Sequence, residues 1–452
     1  MQAPPEDAFL YISPIGYRSS SSCGYCHRKG NNDRSQKSHS YFARATSMSP
    51  ANYQTLVDRC WRRSGALLYR PNQRDACCPH YSIRLDSARF RTTRDQRQAV
   101  NRFNKYVVGD AYSKEAARLH PKSREQARKR DTEFDLVERI HECESLLLER
   151  PPEPAHAFSV TLEPDDFTEE KFLVYENYQQ VVHQESPSSI SRDGFKRFLC
   201  TSPLRRGKYT APDGRERQVG SFHQCYRLDG KLVAIGVLDL LPDCVSGVYF
   251  LYHESIHRFS PGKLGALREI ALAIKEGYRW WYAGFYIHTC PKMKYKIDFS
   301  PQQILNPDTL EWVDLEQSIL RKFDSHGYLD FERSEKDAEK HAQATEVTLP
   351  MEIEEDGYEM LHEDDDEEEE DEDHPLFSSN MPGIPSVDEM NSIDLDHIAV
   401  RLRRGYFYAG DLFEWHNESI DKKGSAKAMV AELVAAVGPD YIHDLCLDFR
   451  KS

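Results

Sequence analysis

Apolar positions three and four apart, and apolar runs cut by turn residues, divide the chain into elements. "SPANYQTLVDRCWRRSG" predicts a helix opened by Ser49, with Pro50 just inside and a stop at Gly65. "ALLYRP" and "HYSIRLD" predict short strands around "RDACCP". "TTRDQRQAVNRFNKYVVG" predicts a second helix, capped by Thr and closed by Gly109. A charged stretch follows, with one helix near "EFDLVERIHECESLLLE", until "RPPEPAHA" breaks it. "FTEEKFLVYENYQQVVHQE" has helical spacing again. "SFHQCYRLDGKLVAIGVLDLLP" predicts a hairpin turning at Asp229-Gly230, and "VSGVYFLY" a further strand. "SPGKLGALREIALAIKEG" predicts a helix capped by Ser260, with Leu264, Leu267, Ile270, Ala271 and Ile274 as its buried stripe. "RWWYAGFYI" is the next strand.

Hairpin, strand, helix and strand in that order specify a mixed sheet crossed by a helix, an α+β or α/β fold. The pattern divides the chain into a small N-terminal domain over residues 1–110 and a mobile, charged, helical connector over 111–157. A larger domain spans 158–333. Residues 334–395 are expected to be disordered or inserted, and 396–452 to be an ordered, partly helical tail packing on the larger domain.

Composition adds two facts. The net charge of −15 is concentrated: residues 352–373 hold 16 Asp or Glu and no Lys or Arg, so the remainder sits at +1. Residues 84–130 carry 14 Lys or Arg against 5 Asp or Glu, an excess that suits phosphate contacts or a solvated helix face. The acidic run has the charge to compete with a nucleic acid for that surface. No apolar run reaches the ~20 residues a membrane helix needs, and the N-terminus lacks a secretory layout, so cytosol and nucleus are expected.

Eleven cysteines, an odd and scattered set, are expected to be thiols. Cys23 and Cys26 share a tight turn, and Cys77 and Cys78 are adjacent. Four thiolates can hold zinc or an iron–sulfur cluster, with His27 and His80 as substitute ligands. Unliganded buried thiols are the alternative.

"CGYC", "DRCWRRSGALLYRP", "CCPHYSIR", "FNKYV", the hairpin, "FLYHESIHRFSPGKLGALREI" and "GFYIHTCPKMKYK" together resemble the eukaryotic arginyl-tRNA–protein transferases, in that family's order. The resemblance covers most of residues 20–110 and 158–330. It implies a core similar to the GNAT acyltransferases. It implies transfer of arginine from charged tRNA(Arg) to the α-amine of proteins beginning with Asp, Glu or oxidised Cys, which then enter N-degron proteolysis, with ubiquitin-ligase contacts. It also implies an iron–sulfur cluster on Cys23, Cys26, Cys77 and Cys78, zinc being the other reading, and no nucleotide cofactor.

Such a reaction poses three recognition problems. The arginyl guanidinium needs a carboxylate: Asp239, with Glu269 behind it. The acceptor's carboxylate needs cations: Arg62, Arg63, and Lys292, Lys294 and Lys296, which a strand would align on one face. The tRNA 3′ end is placed near Ser260 and Lys263 at a helix start, with Arg268 near phosphate. For proton transfer His223, Tyr226 and His288 are candidates, and Gln224 for orienting the ester. Each has an ordinary structural alternative: a turn-capping Asp239, solvated lysines, packed histidines. Two other readings stand beside this one. An acetyl-CoA acyltransferase would favour a glycine-rich pyrophosphate loop, from which "SPGKLG" departs. A catalytically silent tRNA- or metal-binding relative would bind charged tRNA without transfer.

Overall fold

The computed structural model describes residues 9–20, 23, 25, 38–333 and 375–450. Cys26, His27 and the acidic run 352–373 lie outside the described residues.

From the N-terminus come β1 (Leu10–Ser20), β2 (Ser38–Ser47), helix α1 (Pro50–Val57), β3 (Arg62–Ser64), β4 (Leu67–Pro71) and β5 (Tyr81–Asp86). Helices α2 (Arg94–Val108), α3 (Asp110–Leu119), α4 (Arg124–Thr132) and α5 (Leu136–His141) follow. Next are β6 (Phe158–Pro164), α6 (Glu169–Val181), the short α7 (Arg192–Phe195) and β7 (Gly207–Thr210). Then come β8 (Glu216–Leu228), β9 (Lys231–Leu240), β10 (Cys244–Tyr252), α8 (Pro261–Glu276), β11 (Trp280–Tyr286), β12 (Gln302–Leu305) and β13 (Trp312–Asp314). The C-terminal part supplies β14 (Ala399–Leu402), β15 (Gly405–Tyr408), a helix Ala426–Val437 and β16 (Leu445–Asp448).

Two mixed sheets result. One has the order β15-β14-β16-β1-β2-β4-β3. The other has the order β13-β12-β5-β11-β10-β9-β8-β6, with β7 paired to β8. The mixed α/β class is as expected. The tail, expected on the larger domain, instead puts β16 parallel to β1 and β14 beside β16, inside the N-terminal sheet. Conversely β5, from the N-terminal segment, lies between β11 and β12 of the second sheet.

Local chemistry accounts for the main elements. The β8–β9 hairpin turns at Asp229 (φ 52°) and Gly230 (φ 79°), the left-handed pair a tight two-residue turn needs. Thr93 and Gln96 cap α2 reciprocally. On α8 the expected stripe is buried at Leu264, Leu267, Ile270 and Ala271, with Ile274 packed at its margin. Ser260 departs from its expected role: it sits at φ 56° and makes no side-chain cap.

Three other expectations change. The first helix stops at Val57, because Arg62–Ser64 folds back on Leu67–Tyr69 as a hairpin around Gly65. Gly65 has φ +55°, and a Cβ there would lie 2.1 Å from the Arg197 carbonyl oxygen, so only glycine makes that turn without rearrangement. Residues 111–157 are not a loose connector, since they form α3 to α5 and bury Leu136, Ile140 and Cys143 in the main core. Residues 375–395, grouped with the acidic stretch, are folded, with Leu376 and Met390 fully buried. Among the described residues no helix is long and apolar enough to cross a membrane.

Candidate functional site

The second sheet has a built-in opening. β10 and β11 are parallel and pair only at Cys244↔Trp280, Val245↔Trp281 and Ser246↔Tyr282, although both strands run on. A register shift lies at Gly247/Tyr249 against β9, and another at Tyr282/Phe285 against β5. Bulges raise local twist, and here they accompany the parting of two neighbours into a wedge.

Glu269 of α8 fills the apex. A Cβ on Gly247 would lie 2.9 Å from its Oε2, so the glycine leaves room for the carboxyl. Trp281 Nε1 donates to the same oxygen at 2.8 Å. Burial pushes the Glu269 carboxyl up to about 7, opposed by the Trp281 hydrogen bond and by Lys296. Lys296 approaches from the turn Pro291–Asp298 and donates through Nζ to the carbonyls of Ala283 (2.8 Å) and Phe285 (3.0 Å). Burial holds that ammonium well below its ordinary value, and Arg62 adds repulsion. Arg62 lies over the rings of Phe285 (5.1 Å) and Tyr282 (6.0 Å). Gln224 and Glu269 both border Gly236, and the Tyr226 hydroxyl donates to Gln224 Oε1 at 2.6 Å. The fold thus gathers Gln224, Tyr226 and Lys296 about the Glu269 carboxyl, with Arg62 next to Lys296.

Other candidates are engaged elsewhere. Asp239 accepts both Nε (2.8 Å) and Nη2 (2.6 Å) of Arg63, and the Ser221 hydroxyl (2.5 Å), with no exposure. That pair satisfies the carboxylate and the arginine together, which withdraws Asp239 from the guanidinium role and Arg63 from the acceptor role. Arg268 donates to Glu144 (2.6 Å) and the Ile140 carbonyl (2.6 Å) and is buried, so it ties α8 to α5 rather than facing phosphate. Lys263 pairs with Asp95 at 2.5 Å, and Ser260 Oγ accepts from Arg102 at 3.3 Å. His223 is buried with Nε2 on the Leu199 carbonyl at 3.0 Å, and burial lowers it to about 4. His288 lies beyond the strand end, stacked on Phe323 at 4.3 Å, also lowered to about 4 by burial. A neutral, desolvated imidazole is a packed residue here. The segment carrying Lys292, Lys294 and Lys296 is a 3₁₀ turn, not a strand, so the strand alignment is lost: Lys294 is exposed and Lys296 buried.

Next to the wedge lie the cysteines. Ligand atoms of Cys23, Cys77 and Cys78 are within 4.8 Å of one another. Thiolates around one zinc at about 2.3 Å stand about 3.8 Å apart, so the trio fits a thiophilic metal. His80 joins the two regions: its ring meets Tyr25 at 4.9 Å and Phe285 at 5.2 Å. A cleft of about 710 Å³ reaches Cys77, Cys78 and Cys290. Sequence reasoning missed Trp281, Phe285 and Gly247, which act through register shifts that no periodicity reveals.

The family model described as "Arginine-tRNA-protein transferase, N terminus" matches residues 21–98, and its companion "Arginine-tRNA-protein transferase, C terminus" matches 170–306. Both matches carry the same family description and stand in the family's order, N-terminal before C-terminal. "Arginyl-tRNA--protein transferase 1" of Drosophila melanogaster is 28% identical over 424 residues, covering 71% of this chain and 86% of its own length. The Saccharomyces cerevisiae protein of that name is 28% identical over 332 residues, covering 66% and 61%. An "Aspartate/glutamate leucyltransferase" of Pseudomonas fluorescens is 28% identical over 256 residues, covering 56% and 79%. The N-terminal match contains Arg62 and the cysteine trio, and the C-terminal match contains both wedge strands, Glu269 and Lys296.

Proposed function

We propose that the chain is an aminoacyltransferase that moves arginine from Arg-tRNA(Arg) to the α-amine of proteins with N-terminal Asp, Glu or oxidised Cys, marking them for N-degron proteolysis. One observation carries the reading: the two matched segments converge on the buried Glu269 carboxyl, pushed up by burial to about 7, with Lys296 beside it and Arg62 next to Lys296. The hairpin–strand–helix–strand order supports a GNAT-like core.

The aminoacyl ester is already activated, so neither a nucleotide nor a covalent nucleophile is required. Attack by the neutral amine forms the amide and releases the tRNA 3′ hydroxyl. The acceptor amine has an ordinary pKa of about 7.7–8.0, so part of it is neutral in the cell, and positioning against the ester supplies much of the acceleration. With Asp239 taken by Arg63, Glu269 is the carboxyl left at the wedge. Its ionised form suits the arginyl guanidinium or the amine's departing proton, and both roles fail when it is protonated. Gln224, steadied by Tyr226, borders the same space and is placed to orient the ester.

Cys23, Cys77 and Cys78, with Cys26, would hold the iron–sulfur cluster, or zinc, which would brace the N-terminal segment. Residence in cytosol and nucleus, and hand-over to a ubiquitin ligase, belong to the same reading. The test is transfer of labelled arginine to a peptide beginning with Asp, beside one beginning with Gly, with charged Leu-tRNA as a second donor. Labelling of the Asp peptide from Arg-tRNA alone is expected. Transfer of leucine instead would reassign the donor, and no transfer with tRNA still bound would mark a silent relative.

A further inference from the structure

We propose that Arg62 is the residue that reads the acceptor's negative charge, gripping its terminal side-chain carboxylate beside the transfer centre. This rests on the arginyl-transfer reading and names the part of the site that sets acceptor specificity.

Arg62 stands on β3 and is only 6% exposed. Its Nη1 donates to the carbonyls of Val57 (3.1 Å) and Trp61 (2.8 Å). Its Nε and Nη2 are buried and have no hydrogen-bond partner among the described residues. No carboxylate among the described residues forms an ion pair with it, and its cationic neighbour is Lys296. Asp58 acts on it only at longer range. A buried guanidinium with two idle donors and no close ion pair is costly to maintain, and an anionic ligand on those donors removes that cost.

The idle donors are the side edge of the guanidinium fork. The adjacent arginine demonstrates what that edge does. Arg63 uses its own Nε and Nη2 on the two oxygens of Asp239. Arg62 presents the same edge with nothing on it, its plane held over Phe285 and Tyr282. A carboxylate accepts both donors in parallel. An Asn or Gln amide offers one oxygen and sets its own NH₂ against the second donor, leaving a buried group unpaired, which is how such a site rejects the isostere. The remaining cations are worse placed: Arg63 is paired, Lys294 points outward, and Lys296 is committed to two β11 carbonyls.

The experiment measures kcat/KM for peptides beginning with Asp and with Asn, using the full chain and Arg-tRNA. Arg62→Gln is expected to lower the Asp:Asn ratio roughly 30-fold or more, mainly through KM for the Asp peptide, with Arg-tRNA binding unchanged. Arg62→Lys, which keeps the charge but loses the fork, is expected to fall between. Added guanidinium ion is expected to restore the Asp preference of Arg62→Ala. An unchanged ratio in Arg62→Gln overturns the proposal, and if that variant does not fold, an unchanged ratio in Arg62→Lys does so. A wild-type chain without any Asp preference would instead show that the acidic-acceptor reading itself had failed.

Discussion

Single side chains in this molecule owe their roles to their partners more than to their type. Arg62 and Arg63 are neighbours of the same chemistry, yet one is paired with Asp239 and the other keeps its fork idle. Asp239→Ala should therefore act on stability, by about 3–5 kcal/mol in denaturant unfolding, because it strands a buried guanidinium. A selective loss of Arg-tRNA affinity with unchanged stability would contradict that. Glu269 has the opposite signature. Its folded pKa, about 7, lies above its ordinary 4.5, so the folded state holds the proton more tightly. Stability from this group is present below pH 4.5 and is lost as pH rises towards 7, on the order of 3 kcal/mol. Glu269→Gln should match wild type near pH 4.5 and melt higher at pH 8. None of these pairings was readable in the sequence, since "WRRSG" and "VLDLL" are 176 residues apart at the Arg63–Asp239 contact.

At the scale of elements, legibility followed locality. The Asp229-Gly230 hairpin, α2, α6 and α8 were written in local signals: a turn pair, caps and apolar spacing. The β3–β4 hairpin was not, because "TLVDRCWRRSG" carries helical spacing across Val57 and only the glycine marks the reversal. The wedge was hidden too, since it arises from register shifts on two strands. Gly65→Ala probes the hairpin: its φ and the Arg197 carbonyl both oppose a Cβ. The cost should be on the order of 1–3 kcal/mol. Because β3 carries Arg62, transfer to the Asp peptide should fall more than Arg-tRNA binding. A Tm within a degree of wild type would refute this.

At the scale of the whole molecule, the N- and C-terminal segments build one sheet and share the other, so the linear division into domains gives way to an interleaved one. Ending the chain before β14 removes three of the seven strands of the first sheet and uncovers β1. Such a truncation should yield an aggregating or protease-sensitive protein, measured by limited proteolysis. Likewise Cys78→Ser should lower the bound metal, read by elemental analysis, if the trio is a metal centre. The central claim is that transfer occurs at the wedge and requires ionised Glu269. Its most direct test is single-turnover transfer from preformed Arg-tRNA to an Asp peptide across pH 5.5–9, for wild type and Glu269→Gln. The wild-type rate is expected to rise through pH about 7 as Glu269 ionises. The variant should be at least about 100-fold slower, keeping only the limb of the acceptor amine. A variant with the wild-type rate and profile would place the chemistry elsewhere.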